Sequence, residues 1–117
     1  MEILQSKYDI PIKVIVFIDT GAAHTMVNPN IFPGIWKEQP NHFAAASGKV
    51  FTTNYVSRHP VGIQLFPGVI IWIKVIGTEL TGKDVLVGFD VISQLKKLNI
   101  SNTGLYYKRF FKPYTIV

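Results

Sequence analysis

One apolar, largely β-branched run that ends in a carboxylate constrains this chain more than any other stretch: Val14-Ile15-Val16-Phe17-Ile18-Asp19-Thr20-Gly21-Ala22. An apolar run without polar alternation is typical of a strand that is buried on both faces. Asp19 would then stand where a buried strand ends, and it is followed by a hydroxyl and by a glycine, which allows a sharp turn. Desolvating a lone carboxylate is costly, so Asp19 must be paired or hydrogen-bonded. The layout indicates a catalytic loop, although a turn residue that caps local N–H groups has the same pattern.

Length and composition favour one β-rich domain over residues 1–117, with the flanks 1–9 and 111–117 as linker or dimer-interface segments. The chain is 48% hydrophobic and 16% charged, which excludes a disordered tail and indicates more apolar surface than a small monomer usually buries. Oligomerisation would use that excess. The absence of cysteine excludes disulfides and thiolate zinc sites.

Charge and hydropathy limit the classes of partner that the chain is expected to bind. The formal charge is +5, but the basic residues are scattered and cluster only at Lys96-Lys97 and Lys108-Arg109, which argues against nucleic acid as a partner. The basic and aromatic mixture at 108–112 is interpreted as lysines that protect a terminal strand from aggregation. The apolar stretch 69–73 is far shorter than the roughly 20 residues of a membrane-spanning helix. Since no secretory signal is recognisable either, a cytoplasmic location without membrane partners is expected.

Turn-forming residues divide the chain into short strands. Glycine and proline pairs such as Pro67-Gly68 separate seven predicted strands, at 12–18, 43–46, 50–57, 61–66, 69–76, 84–87 and 105–110. Alternation within 61–66 predicts a half-exposed antiparallel strand. A single short helix is predicted after Gly88-Phe89, with Asp90 as its N-cap. These elements predict an all-β barrel or sandwich with one covering helix.

Three motifs, taken together, resemble those of the retropepsins, the single-domain aspartic proteases of retroviral and pararetroviral polyproteins. They are the apolar strand into Asp-Thr-Gly-Ala, the hairpin Ala46-Ser47-Gly48, and Leu86-Val87-Gly88-Phe89-Asp90 before a helix. The resemblance covers roughly residues 11–107 and implies a closed acid-protease barrel with a flap hairpin and one short C-terminal helix. It is greatest to plant pararetroviral and long-terminal-repeat element proteases, and it extends to the retropepsin-like domain of certain ubiquitin shuttle proteins.

The resemblance implies hydrolysis of a polyprotein by two aspartates that share one proton, one as general base and one as general acid. Only Asp19 has the Thr-Gly context, because Asp9, Asp84 and Asp90 are followed by other residues. The second catalytic Asp19 must therefore come from a second copy of the chain, in a symmetric homodimer. No cofactor and no metal are expected; His42 and His59 have no acidic or cysteine companion at metal-binding spacing.

The resemblance also assigns roles to the residues around Asp19. Thr20 would reach across the dimer axis, Gly21 would offer its backbone to Asp19 and to substrate, and Ala22 would form a subsite wall. The remaining substrate-binding residues would be Ala23, His24, Val87 and the flap residues Ala46, Ser47 and Gly48. Many retroviral members have an ion pair at the positions of Ala23 and Phe89, and its absence here predicts a weak dimer.

Three other functions remain open from the sequence. The chain could be a retropepsin-like dimerisation or binding module without turnover, a cellular domain of the ubiquitin-shuttle type, or a basic module that holds viral nucleic acid. The first is separated from a protease by a statine-type transition-state mimic, which should bind a shared dyad but not a structural aspartate. The last is separated by the salt dependence of binding.

Overall fold

The fold is taken from a computed structural model that describes residues 1–6, 9–44 and 50–114. Within these residues, strands alternate with tight turns, and a single four-residue α-helix follows the tenth strand. The elements are β1 (Glu2–Leu4), β2 (Ile12–Lys13), β3 (Val16–Ile18), β4 (Met26–Val27), β5 (Trp36–Ala44), β6 (Val50–Ser57), β7 (Val61–Phe66), β8 (Val69–Ile73), β9 (Ile76–Gly77), β10 (Val85–Val87), α1 (Phe89–Ile92), β11 (Asn99–Ile100), β12 (Gly104–Tyr107) and β13 (Phe110–Pro113). A 3-10 turn at Pro29–Ile31 lies between β4 and β5. No helix among these residues has the length and apolar character needed to cross a membrane.

The described strands form three open sheets, so the predicted all-β class is confirmed but the closed barrel is not. Their orders are β2-β1-β7-β8, β3-β10-β4-β9-β6-β5 and β11-β12-β13. The barrel prediction fails because β3 and β5 each have a single partner and stand at the two edges of the six-stranded sheet. A barrel requires every strand to have a neighbour on both sides.

Strand bounds were predictable where a turn residue marks the end. The bounds of β6 and β7 are those predicted, and Gly68, at φ +75°, closes β7 onto β8. The predicted strands at 12–18 and 69–76 are each interrupted, giving β2 with β3 and β8 with β9. The hairpin arm β5 begins at Trp36, well before the predicted start at residue 43. The flap residues Ala46, Ser47 and Gly48 lie outside the described residues.

The core lies around β7, which is buried on both faces and not half-exposed as its alternation predicts. Both of its edges are paired, with β1 and β8, and the C-terminal hairpin packs on it through Phe66. The ring of Phe66 stacks on those of Tyr107 and Phe110, at centroid distances of 5.5 and 5.9 Å. These contacts join the four-stranded sheet to the β11-β12-β13 sheet.

The strand before Asp19 is more exposed than its sequence predicts. In β3, Val16 and Ile18 are half-buried, whereas Phe17 is 48% exposed, and Ile15 just before it is 43% exposed. The expectation of burial on both faces is wrong for the single chain, because β3 is an edge strand that pairs only with β10. One apolar face of the strand is therefore left uncovered by the described residues.

The amino group of Met1 should make the stability of the fold depend on pH. Burial of this amine, together with the nearby Lys112 ammonium, lowers its pKa from 8.0 to about 6. Between these values the unfolded chain binds the proton more strongly than the folded chain, so the free energy of unfolding rises as the pH rises from 6 to 8. We expect Nα-acetylation to remove this part of the pH dependence. Thermal unfolding of the free and acetylated chains checks it, and an identical pH response of the two would contradict it.

Candidate active site

The carboxylate of Asp19 is held in a tight turn directly after β3. The Asp19 N–H donates to the Val87 carbonyl of β10 at 2.9 Å, which continues the pairing of the two strands. The Gly21 N–H donates to Asp19 Oδ1 at 2.9 Å, and the Ala22 N–H donates to the Asp19 carbonyl at 3.2 Å. A Cβ atom on Gly21 would stand 3.3 Å from Asp19 Oδ1. The turn thus fixes the carboxylate and favours glycine beside it.

Parallel pairing brings a second turn against the Asp19 loop. β3 and β10 run parallel with Ile18 opposite Val87, so the turns that follow both strands lie at the same edge of the sheet. The Phe89 N–H donates to the Ala22 carbonyl at 2.7 Å. A Cβ atom on Gly88 would lie 2.7 Å from backbone atoms of His24, which cannot move aside easily. Glycine is therefore required where the two turns touch.

A buried polar network, called the Thr25–Asp90 brace below, locks these turns together. Thr25 is fully buried; its hydroxyl donates to Asp90 Oδ1 at 2.6 Å and its N–H donates to Asp90 Oδ2 at 3.0 Å. The same hydroxyl accepts from the Gly88 N–H at 3.0 Å. Hydrogen bonds to a carboxylate are among the stronger ones in proteins. The brace consists of Thr25, Asp90 and the Gly88 N–H.

The role of Asp90 differs from the predicted N-cap. The N-cap of α1 is Gly88, and Asp90 lies in the first turn, where its Oδ1 accepts from the Val91 N–H at 2.8 Å. Both oxygens are turned toward Thr25, because burial leaves that threonine dependent on partners within the protein. A carboxylate near a helix N-terminus is also favoured by the helix dipole.

A second aspartate supports the opposite end of β3. Asp84 Oδ2 accepts from the Ile15 N–H at 2.8 Å, and the Asp84 N–H donates to the Ile15 carbonyl at 2.9 Å. Neither this contact nor the role of Thr25 is predicted from the sequence. No local pattern reveals them, because the bonded residues are 69 and 65 positions apart.

The predicted site residues at 19–24 form one continuous loop. Asp19, Thr20, Gly21, Ala23 and His24 are exposed, and Ala22 is half-buried. Within the described part of the chain, the Thr20 hydroxyl and Asp19 Oδ2 have no hydrogen-bond partner.

Val87, predicted to bind substrate, is placed differently from the rest of the loop. Its side chain is fully buried in the core, while its carbonyl holds the Asp19 N–H. In the single chain it therefore positions Asp19 and does not present a side chain for contact with a substrate.

Exposed apolar side chains lie along the strand that leads into the Asp19 loop and in the turn that is hydrogen-bonded to it. Ile15, just before β3, and Phe17, within it, are exposed, and Phe89, whose N–H donates to the Ala22 carbonyl, is 55% exposed. We call Ile15, Phe17 and Phe89 the apolar rim. The Lys83 ammonium lies 4.4 Å from the ring centroid of Phe17. Isolated exposed apolar residues are ordinary, but several beside one carboxylate indicate a contact surface.

The Asp19 loop does not line the groove found elsewhere on the chain. That groove has a volume of about 800 Å³ and is lined by the N-terminal segment, residues 34–35 and 58–61, and Trp72. Across residues 1–6, 9–44 and 50–114, no group of three or more His, Asp or Glu side chains is arranged to hold a metal ion. The chemistry available at the loop is that of an exposed, rigidly held carboxylate.

Comparison with known proteins places similar sequences in viral polyproteins. No family model matches the chain. It is 42% identical over 117 residues to the genome polyprotein of Petunia vein clearing virus (isolate Shepherd) and 41% identical to that of isolate Hohn. The match covers 98% of this chain but only 5% of each polyprotein. The chain is therefore similar to one region of a plant pararetroviral polyprotein.

Replacement of Thr25 by valine tests the brace. The shape is kept, but Asp90 loses a donor and the buried Gly88 N–H loses its acceptor, so we expect a loss of about 2 to 3 kcal/mol in the free energy of unfolding. Thr25→Ser is the matched control, since it keeps the hydroxyl and loses one methyl, at about 1 kcal/mol. Urea unfolding measures both. A valine variant as stable as the serine variant would show that the hydroxyl contributes nothing.

Proposed function

We propose that this chain is the protease region of a pararetroviral polyprotein, an aspartic endopeptidase of the retropepsin type that acts as a homodimer on polyprotein substrates. Two observations support this proposal. The sequence is similar to a region of viral genome polyproteins over 98% of its length. The Asp19-Thr20-Gly21 loop carries a carboxylate whose geometry suits a shared catalytic dyad.

The observation that carries the proposal is the rigid support of an exposed carboxylate. Asp19 Oδ1 is held by the Gly21 N–H, and the loop is fastened to the Gly88 turn by the Thr25–Asp90 brace. Here Oδ2 has no partner among the described residues, so it is available to a water molecule or a second carboxylate.

The chemistry requires two such carboxylates. Asp19 of one protomer, ionised, accepts a proton from water, whose oxygen attacks the carbonyl carbon of the peptide bond. Asp19 of the partner subunit, protonated, donates its proton to the carbonyl oxygen. Collapse of the tetrahedral intermediate breaks the C–N bond, and the nitrogen takes the proton that the first Asp19 accepted from water. The partner's Asp19, now ionised, takes a hydroxyl proton from the intermediate, so a carboxyl and an amino terminus form and the pair again holds one proton. Two adjacent carboxylates share one proton readily, because both cannot stay ionised at such a distance.

The exposed apolar surface favours a second copy at this position. The apolar rim stands beside Asp19, and 48% of the chain is hydrophobic. Pairing through the rim would bury Ile15, Phe17 and Phe89 and bring two Asp19 loops together. Ala23 and Phe89 provide no charges for an ion pair across the dimer, so the association rests on apolar contacts and is weak.

Other residues of the loop have proposed roles in the same dimer. Thr20 would donate its free hydroxyl to the backbone of the partner subunit and so tie the two loops together. Ala22, Ala23 and His24 would line the substrate cleft. Ala46, Ser47 and Gly48, which the resemblance assigns to a flap, would close over the peptide.

Replacement of Asp19 by asparagine should abolish cleavage. Asparagine keeps the acceptor for the Gly21 N–H but cannot exchange a proton with water, so we expect kcat/KM to fall by about 10³-fold or more. Asp9→Asn is the matched control, because Asp9 is exposed and bonded to Ser6. Mass spectrometry of peptides that span the polyprotein measures the cleavage. Equal turnover by Asp19→Asn and the unaltered chain would refute the assignment.

Activity should follow the dimer fraction. Phe89→Glu puts like charges into the proposed interface, so we expect a rise of at least about tenfold in the dimer dissociation constant, with activity lost in parallel. Ile100→Glu is the control, since Ile100 is also an exposed apolar residue but lies on a different sheet. Sedimentation across a concentration series, with peptidase assays on the same samples, tests this. Full activity in a strict monomer would exclude the half-site, whereas a dimer without turnover would indicate a binding module.

A further inference from the structure

The positive charge of the chain is concentrated in its last quarter. Residues 1–90 contain seven basic and seven acidic residues, which cancel, whereas residues 91–117 contain five basic residues and no acidic one. The whole net charge of +5 therefore resides in the C-terminal 27 residues. Their cations are Lys96, Lys97, Lys108, Arg109 and Lys112. A segment of this kind attracts polyanions.

The β11-β12-β13 sheet in this segment has one packed face and one exposed aromatic face. Leu105 and Tyr107 point into the core. On the other face Tyr106 and Phe111 are directly opposite each other on β12 and β13, with ring centroids 4.5 Å apart and an interplanar angle of 34°. They are 42% and 47% exposed. We call Tyr106 and Phe111 the aromatic face; no described residue covers it.

The exposed cations lie at one end of this sheet. Asn99 of β11 pairs with Tyr106 in antiparallel register, so Lys97, two residues before Asn99, and Lys108, two residues after Tyr106, lie at the same end of the sheet. Arg109 completes the turn between β12 and β13. All three cations are exposed. The Lys108 ammonium lies 5.3 Å from the ring centroid of Tyr107 and the Arg109 guanidinium lies 5.7 Å from that of Phe110, on the face opposite Tyr106 and Phe111. The cations therefore share one end of the sheet with the aromatic face but do not lie over its rings.

We infer that this surface binds single-stranded nucleic acid without base specificity. Bases would stack on Tyr106 and Phe111, and Lys97, Lys108 and Arg109 would contact phosphates. Every base has a flat π-face, and stacking on an exposed aromatic is worth about 1 to 3 kcal/mol per base. Single strands fit better than duplexes, whose bases are already stacked on one another. The inference is independent of the proposed protease activity.

A second copy of the chain fits this surface poorly. Two such segments face to face would bring ten basic residues together with no acidic residue to offset them, since each contributes five. Like charges across an interface cost several kcal/mol. An anionic bilayer would satisfy the charges, but the two rings lie against each other in a paired platform suited to stacking, so the membrane is retained as an outcome of the test.

The test uses fluorescence anisotropy of the whole chain with a labelled oligouridylate of about 12 nucleotides, a length within the usual site sizes of single-strand binders. A duplex of the same length serves as comparison. We expect tighter binding of the single strand, with log affinity falling linearly as log salt rises. Tyr106→Ser combined with Phe111→Ser should weaken binding at least about tenfold. Tyr106→Phe combined with Phe111→Tyr keeps both rings and should bind like the unaltered chain.

Charge variants separate local contacts from net charge. Lys108→Gln with Arg109→Gln should weaken binding and reduce the salt slope by about 1 to 2. Lys37→Gln with Lys74→Gln removes the same charge from exposed positions elsewhere, and the affinity and the salt slope should stay nearly unchanged. Thermal unfolding checks that each variant folds.

Four results would overturn the inference. The first two are equal affinity for the duplex and the single strand, and an affinity that does not change when both rings are removed. The others are an equal loss of affinity in the Lys108/Arg109 and Lys37/Lys74 variants, and binding to phosphatidylserine vesicles without binding to the oligonucleotide. Loss of self-association in the Tyr106→Ser/Phe111→Ser variant, without any oligonucleotide binding by the unaltered chain, would assign the face to a second copy instead.

Discussion

The hydroxyl of Thr25 is the contact on which the rest of the candidate site depends. It donates to the Asp90 carboxylate and accepts from the Gly88 N–H, in a position without access to solvent. A buried polar group without partners is costly, so these groups either bond to one another or destabilise the fold. Satisfying them forces the two turns together, and that closeness excludes a side chain at Gly88. The position of Asp19 is linked to this contact, since its loop leads directly into Thr25 and its Ala22 carbonyl accepts from the Phe89 N–H.

The rigidity of the loop contrasts with the exposure around it. β3 is fixed at one end by Asp84 and at the other by the Val87 carbonyl, yet it has a neighbour on one side only. An edge strand with uncovered apolar residues invites association. In the proposed dimer, the unpaired edge of β3 and its exposed apolar residues would form the surface that binds the second copy, which carries the second Asp19. Apolar contacts alone would then set the strength of the association, because Ala23 and Phe89 carry no charge.

Local patterns predicted the features of this fold that are encoded locally. Turn residues gave the bounds of β6 and β7, and the apolar run gave the strand that presents Asp19. Contacts between distant residues were not predictable. The partnership of Thr25 with Asp90 spans 65 positions, and a threonine near the start of a short strand has no signal that marks it as buried. The exposure of β3 was missed because an apolar run reports that a strand will be covered, but not whether the covering surface belongs to the same chain.

Charge directs the two surfaces of the chain toward different partners. The side chains of the apolar rim carry no charge, and of their charged neighbours Lys83 lies over Phe17 and Asp84 binds the Ile15 N–H, whereas the segment that carries the aromatic face holds the entire net charge of +5. Repulsion between two copies of that segment opposes association through the aromatic face but has little effect on association through the rim, since screening weakens it beyond roughly 10 Å. In the two proposals, a second copy would thus be directed to Asp19 and a polyanion to the C-terminal sheet. Because the two surfaces share no residue, one chain could hold both partners at once, and nucleic acid binding by two copies would raise their local concentration and favour a weak dimer.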